Sequence, residues 1–260
     1  MKGFLGIGLF IFFLTASQAY GGVITGRATF GDAPISLASL QVTKNQEVCG
    51  QLKPNEALII SPDRMIANVV VSIEGIKTGK EAPQALTAVL DNRECLFFPH
   101  VQAVMKGTRL ELRNSDPVLH NTHPRFLDIE VKAVSLARLT DPHAHAKHGR
   151  TVFNIALPFK GMKVTSVLNQ SGLIHVMCDE HPWMNAYIMV FDHPYFAVTG
   201  KDGSFIIRDV PAGRYKLRAW HEALGVQERE ITVDEKGEVR VEFTFSLPKE
   251  EKAPEHHAHH

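Results

Sequence analysis

Short runs that alternate apolar and polar residues constrain this chain most, because they are too brief for helices and too regular for loops. Arg109-Leu-Glu-Leu-Arg113 places Leu110 and Leu112 on one face and charges on the other. Near the C-terminus Val239, Val241, Phe243 and Phe245 likewise share a face. Further β-branched or alternating runs are Val23 to Phe30, Leu37 to Val42, Asn68 to Ile73, Thr87 to Leu90, Leu173 to Val176 and Ala186 to Phe191. Ser204 to Ile207, Tyr215 to Trp220 and Glu228 to Val233 continue the rhythm. Gly, Pro, Asn and Asp separate them, as in Gly200-Lys-Asp-Gly203 and Pro211-Ala-Gly213. Strands at this spacing predict an all-β chain built of sandwiches. Two stretches depart from the pattern: Phe126 to Leu139, a short helix or hairpin, and Asp141 to Arg150, a His-rich loop. From Pro248 the chain is charged, ends in a His-rich cluster and reads as disordered.

The N-terminus reads as a targeting signal. Lys2 is its basic head, Phe4 to Leu14 its apolar core and Ser17-Gln18-Ala19 a small-x-small cleavage site. The apolar run is short for a bilayer span, so an exported chain starting near Tyr20, with no integral membrane segment, is expected. The retained-anchor reading is the alternative. Loss of Lys2 changes 28 basic and 28 acidic residues to 27 and 28, close to neutrality. That balance points to neither nucleic acid nor an anionic membrane as partner.

An exported, periplasmic setting makes three cysteines informative. Cys178 lies among potential metal ligands, which leaves Cys49 and Cys95 as the natural disulfide pair. Such a bridge stabilises the fold by roughly 4 kcal/mol on the chain-entropy view. Three unpaired thiols are the competing reading.

Cys178 opens the segment Cys178-Asp-Glu-His181-Pro-Trp-Met184, and about sixty residues upstream lies Asn114-Ser-Asp-Pro-Val-Leu-His120. A thiolate, two imidazoles and a thioether (Cys178, His120, His181, Met184) form the donor set of a mononuclear electron-transfer copper site. Three donors sit in one tight loop, and the fourth must come from a distant strand. His123 competes with His120 as a ligand, Cys178 could be an inert buried thiol, and Met184 could be a plain core side chain. Pro182 and Trp183 are expected to form an apolar rim around His181. His100, His175, His193 and His221 are expected to be structural. His143, His145 and His148, with His256, His257, His259 and His260, offer weak metal-scavenging sites or plain solvated imidazoles.

The loop from Cys178 to Met184 resembles the ligand loop of the cupredoxins, its spacing being that of the short amicyanin form. Phe97-Phe-Pro-His-Val, Gly107 and Asn114-Ser-Asp-Pro-x-x-His120-Asn121 resemble the strand pair that delivers the first histidine. The resemblance implies a Greek-key β-sandwich of cupredoxin type over residues 95–192. It implies His120, Cys178 and His181 as equatorial ligands of one Cu(I)/Cu(II) ion, with Met184 axial. Asn121 matches the residue that pins the cysteine loop. Asp179 stands where the family often has a small hydroxyl residue, which leaves the partner of Asn121 open. Pro124 to Gly149 is an insertion relative to small cupredoxins. The run Val198-Thr-Gly-Lys-Asp-Gly-Ser-Phe, with Val210-Pro-Ala-Gly-Arg-Tyr, is similar to carboxypeptidase-regulatory-like, transthyretin-like β-domains, which implies a second β-sandwich for scaffolding or docking. Chains joining the two are called plastocyanin-like or methylamine-utilisation-like. The expected organisation is a signal peptide at 1–19, an N-terminal β-region at 20–94, a copper domain at 95–192, the second module at 193–247 and the tail at 248–260.

The expected function is a blue-copper electron carrier exchanging single electrons with redox proteins of cytochrome or dehydrogenase type. A copper chaperone or reservoir is the alternative, favoured by the extra histidines and methionines; a metal-free structural module is a third reading. An enzyme is not expected: the sequence has no second cysteine for a dinuclear centre, no Ser/His/Asp arrangement and no open zinc motif.

Overall fold

The computed structural model describes residues 21–33, 35–77, 79–80, 86–127 and 149–247. The leader, the segment expected as helix or hairpin beyond Leu127, most of the His-rich loop and the tail lie outside the described residues. The chain opens with β1 (Gly22–Phe30), β2 (Leu40–Gln41), the helical turn α1 (Gln46–Cys49), β3 (Leu52–Lys53) and β4 (Val70–Ile73). Next come β5 (Thr87–Arg93), β6 (Leu96–Phe98), β7 (Val101–Met105), β8 (Thr108–Asn114) and β9 (His120–Phe126). After the undescribed insertion follow β10 (Arg150–Thr151), β11 (Ile155–Leu157), β12 (Lys163–Leu168), β13 (Gly172–Met177) and β14 (Asn185–Phe191). The last strands are β15 (Phe196–Val198), β16 (Ser204–Val210), β17 (Gly213–His221), β18 (Gly225–Val233) and β19 (Glu238–Phe245). The chain is all-β, as the alternation requires.

Two sandwiches result. One stacks the order β10-β9-β13-β14-β7, with β11 on β9, over β12-β8-β5-β6. Its core joins Leu90, Phe97, Leu110, Leu112 and Leu168 from the second sheet to Val104, Phe126, Ile174, Val176 and Ile188 from the first. The other stacks β16-β1-β19 over β15-β4-β17-β18. There Ile24, Phe30, Ile207, Phe243 and Phe245 meet Val71, Ile73, Leu217, Ala219 and Val233. The faces follow from the period of two: in β8 Leu110 and Leu112 point in, and in β19 Val241, Phe243 and Phe245 do.

Residues 22–94 contribute to both cores. β1 runs antiparallel to β16 and parallel to β19, and β4 pairs with β15 and β17, so these early strands complete the sheets of the C-terminal module. β5 instead pairs with β8 in the other sandwich. The stretch expected as a strand from Leu37 to Val42 forms a ladder only at Leu40–Gln41. It is the crossing: Leu37 packs on one core, while Leu40 and Val42 pack on the other. Beyond it the backbone turns at Asn45, whose φ of 54° is left-handed, into α1. β9 is invisible to pattern reading, since His-Asn-Thr-His-Pro-Arg-Phe lacks alternation and contains a proline. Tertiary pairing with β13 on one flank and β10 and β11 on the other makes it a strand.

The sandwiches meet through Val70, Val101, Tyr187 and Trp220, one apolar cluster drawn from β4, β7, β14 and β17. Beside it His100 hydrogen-bonds the Glu222 carboxylate through Nε2 and donates from Nδ1 to the Asn185 carbonyl at 3.1 Å. Both side chains are buried, so the pair is held in low dielectric. Burial pushes the His100 imidazole down, but Glu222, with Glu56 and the Asn185 carbonyl, overcomes it and raises the pKa from 6.5 to about 9. His221 takes the Ala223 N–H on Nδ1 at 3.2 Å, and burial lowers its pKa to about 3. Both His100 and His221 are thus bonded within the fold through at least one ring nitrogen.

A raised imidazole pKa gives stability that is complete below the unfolded value and is lost as pH climbs through the folded one. The contribution of protonated His100 should therefore be present near pH 6.5 and vanish through about pH 9, while burial, which raises the Glu222 pKa, limits the pair's gain towards acid pH. Thermal unfolding followed from pH 6 to 10 should show Tm falling across that window, and Glu222→Gln should flatten the fall. An equally steep fall in the variant would refute the assignment.

Candidate metal centre

The site sits at one pole of the first sandwich, where β9, β13 and β14 converge. β13 and β14 are antiparallel with Met177 opposite Asn185, and residues 178–184 are the loop that joins them. That loop folds back on itself: the Met184 N–H donates to the His181 carbonyl at 2.9 Å, and the Cys178 N–H to the Met184 carbonyl at 3.3 Å. β9 pairs with β13 with His123 opposite Met177, so His120, three residues earlier, reaches the pole beside Cys178.

Ligand atoms of His120, Cys178 and His181 all lie within 4.8 Å of one another, and all three residues are buried. Cys178 Sγ is 3.7 Å from His181 Nδ1, and the two Nδ1 atoms of His120 and His181 are 3.0 Å apart. Each ring's outer nitrogen is engaged. His120 Nε2 meets the Asp116 carboxylate at 2.9 Å, and His181 Nε2 meets the Asn45 Oδ1 at 3.0 Å. Both partners are acceptors, so each Nε2 carries a hydrogen and each ring turns its Nδ1 inward. Two lone pairs 3.0 Å apart repel unless a proton or a cation lies between them. The chemistry of the donor set therefore fits a soft metal ion.

Charge around the thiol agrees. Burial pushes the Cys178 thiol up, while the N–H groups of Asn121, Glu180 and His181 pull it down, the first at 3.5 Å from Sγ. Those donors would support a thiolate once a cation offset the desolvation. Burial, with His120 and Lys44 nearby, lowers the His181 pKa to about 4, so the ring stays neutral at physiological pH and keeps its lone pair. Burial raises Asp116, but His120 and the backbone N–H groups of Cys95 and Glu94 overcome it and hold the carboxyl below its usual value.

Met184 is buried, at 1% exposure, in the same core as Cys178. Trp183 packs beside His181 as expected, but from inside the fold. It is buried and packs inward, its ring 5.0 Å from His181 and its Nε1–H donating to the Cys95 carbonyl at 3.0 Å. Pro182 is only half-buried. His123 faces away from the cluster, since a separation of three along a strand reverses the side. Its Nδ1 lies 3.0 Å from Asp179 and its Nε2 3.0 Å from Thr151. Asn121 donates to the Asp179 carboxylate at 2.8 Å and accepts the Asp179 N–H at 2.6 Å, so Asp179 is the partner that the sequence left open.

Cys49 and Cys95 form the expected disulfide, and Cys178 is a free thiol. Cys95, Asp116 and His120 also cluster, but a bridged sulfur offers no thiolate there. The residues that pattern reading passed over are Asp116, Asn154 and Asn45. Asp116 lay within the quoted Asn114 to His120 segment, four residues before the histidine. Asn154 bonds both Asn121 and Asp179 from the far side of the insertion. Asn45 is 136 residues from His181 and carries no local signal.

Residues 171–246 match the family model of the carboxypeptidase regulatory-like domain. The match takes in β13, the Cys178–Met184 loop and β14 as well as the C-terminal strands. Solved structures similar to this chain include a reduced Cu(I) amicyanin variant at pH 4, with 17% identity over 46% of this chain and 98% of that one, TM-score 0.29. A purple cupredoxin from Nitrosopumilus maritimus has 18% identity over 41% and 99%, TM-score 0.27. A Cu-containing nitrite reductase from Thermus scotoductus SA-01 has 17% identity over 46% of this chain, TM-score 0.29, and only 25% of its own length is spanned. No curated protein matches the sequence.

Asn121→Ala removes the two side-chain bonds by which Asn121 holds Asp179, leaving the His123 contact to the same carboxylate. It should destabilise the protein by about 1–3 kcal/mol and speed alkylation of Cys178 in the metal-free protein. Unchanged Tm and unchanged thiol reactivity would show that the loop is held elsewhere.

Proposed function

We propose that this chain is an exported blue-copper protein that passes single electrons between redox proteins, with His120, Cys178, His181 and Met184 as its ligands. The observation that carries the reading is the buried trio of one thiol and two inward-facing imidazole nitrogens, all within 4.8 Å, with both outer nitrogens already bonded. Copper, when bound, supplies the one-electron couple. Cys178 binds as thiolate among its backbone N–H donors, the two Nδ1 atoms complete the stronger donors, and Met184 adds a weak thioether. Because Asp116 and Asn45 fix the rings and Asn121 fixes the loop, the ligands need little movement between oxidation states, which is what fast outer-sphere transfer requires.

The disulfide agrees with an exported protein. The division we propose is a leader at 1–19, a copper sandwich built mainly from residues 86–192 with the 40–53 segment, and a docking module that combines β1 and β4 with residues 193–247. Redox partners of cytochrome or dehydrogenase type would be met by this assembly.

Copper-loaded, oxidised protein should show an intense thiolate-to-copper charge-transfer band. Cys178→Ser should abolish it, since a hydroxyl cannot replace the soft thiolate. His120→Ala or His181→Ala should turn the spectrum towards ordinary tetragonal Cu(II), and Met184→Leu should keep the colour and raise the potential. A colourless wild type that binds copper as tightly as Cys178→Ser would reject the carrier and favour a copper chaperone or reservoir.

A further inference from the structure

His181 is a loop residue next to a half-buried proline, yet its exposure is 0%. What covers it is a strap from far upstream. Val42 anchors the strap in the core, Asn45 turns it, and α1 delivers Cys49 to the disulfide with Cys95. Inside the strap the Gln46 side-chain amide donates to the Val42 carbonyl at 2.6 Å, and the Cys49 N–H to the Asn45 carbonyl at 2.8 Å. An ion pair between Lys44 and Glu180 closes it over the ligand loop. Asn45 Oδ1 then lands 3.0 Å from His181 Nε2.

The disulfide has a second side. The Cys95 N–H donates to Asp116 at 2.8 Å, the same carboxylate oxygen that accepts from His120 Nε2. The Cys95 carbonyl receives the indole N–H of Trp183, whose ring lies against His181. One covalent bond thus stands between the outer partners of both imidazoles. A buried ring with one nitrogen bonded by a fixed acceptor has one tautomer and one orientation.

We propose that Asn45 is a positioning residue for the site: its side-chain oxygen holds the Nε2–H of His181, turns the Nδ1 lone pair towards Cys178, and seals the ring from water. The inference deepens the copper reading and rests on His181 being a ligand, but its first test needs no metal. The left-handed backbone at Asn45 makes the choice of variants decisive, because glycine keeps that conformation while deleting the acceptor, and aspartate keeps both.

In the metal-free protein, nitrogen-detected NMR should find His181 as the Nε2–H tautomer with a proton protected from exchange. Asn45→Gly should speed that exchange at least about tenfold and lower Cu(I) affinity by about 10–100-fold in chelator competition. Asn45→Asp should preserve the tautomer and the protection. Unchanged exchange in Asn45→Gly, or equal loss in both variants, would overturn the role. If wild-type protein takes up no copper while the exchange pattern holds, the copper reading fails and the positioning role of Asn45 stands.

Discussion

The ladder joining β13 to β9 and β14 is the constraint on which the rest depends. With Met177 opposite both His123 and Asn185, the backbone leaves no freedom in where the following seven residues close. The loop then bonds to itself, and Asn121 ties it to β9 through two hydrogen bonds. A thiol and an imidazole from the loop meet an imidazole from the neighbouring strand as a result of register, before any side-chain preference acts. A one-residue slip of β9 would turn His120 to the other face and dissolve the cluster.

Around that ladder the two sandwiches divide the work. The first supplies a packed core directly beneath the pole. Cys178, Trp183 and Met184 belong to the same buried cluster as Ile174, Val176 and Ile188, so the 178–184 loop is an extension of the core and not an appendage to it. The second is joined through Trp220 and Tyr187 and through the buried His100–Glu222 pair, whose imidazole also bonds the Asn185 carbonyl, one residue after Met184. Removing one member of such a pair leaves the other charged and desolvated, so the pair resists separation of the modules more than it adds to stability.

Much of this was legible in the sequence, and the exceptions have physical causes. Alternation in β8 and β19 announces sheets because one face of each must be buried. The spacing from Cys178 to Met184 announces a cluster of donor groups because few loops place those types so close. The pairing of Cys49 with Cys95 follows once Cys178 is set aside. By contrast β9 carries no pattern, because it is paired on both flanks and nearly all its side chains, polar ones included, are buried. The role of β1 and β4 in the C-terminal module depends on pairings more than 100 residues apart, which no local signal encodes. Asn45 escapes for the same reason: only the disulfide and the strap bring it to His181.

The central claim is that one thiolate and two imidazoles hold a single copper ion with little rearrangement between oxidation states. X-ray absorption at the copper edge, recorded on one preparation first reduced and then oxidised, tests it most directly. The expected result is one short sulfur shell and two nitrogen neighbours in both states, with small changes in distance. A spectrum without a sulfur shell, or one whose coordination number changes between the two states, would contradict it.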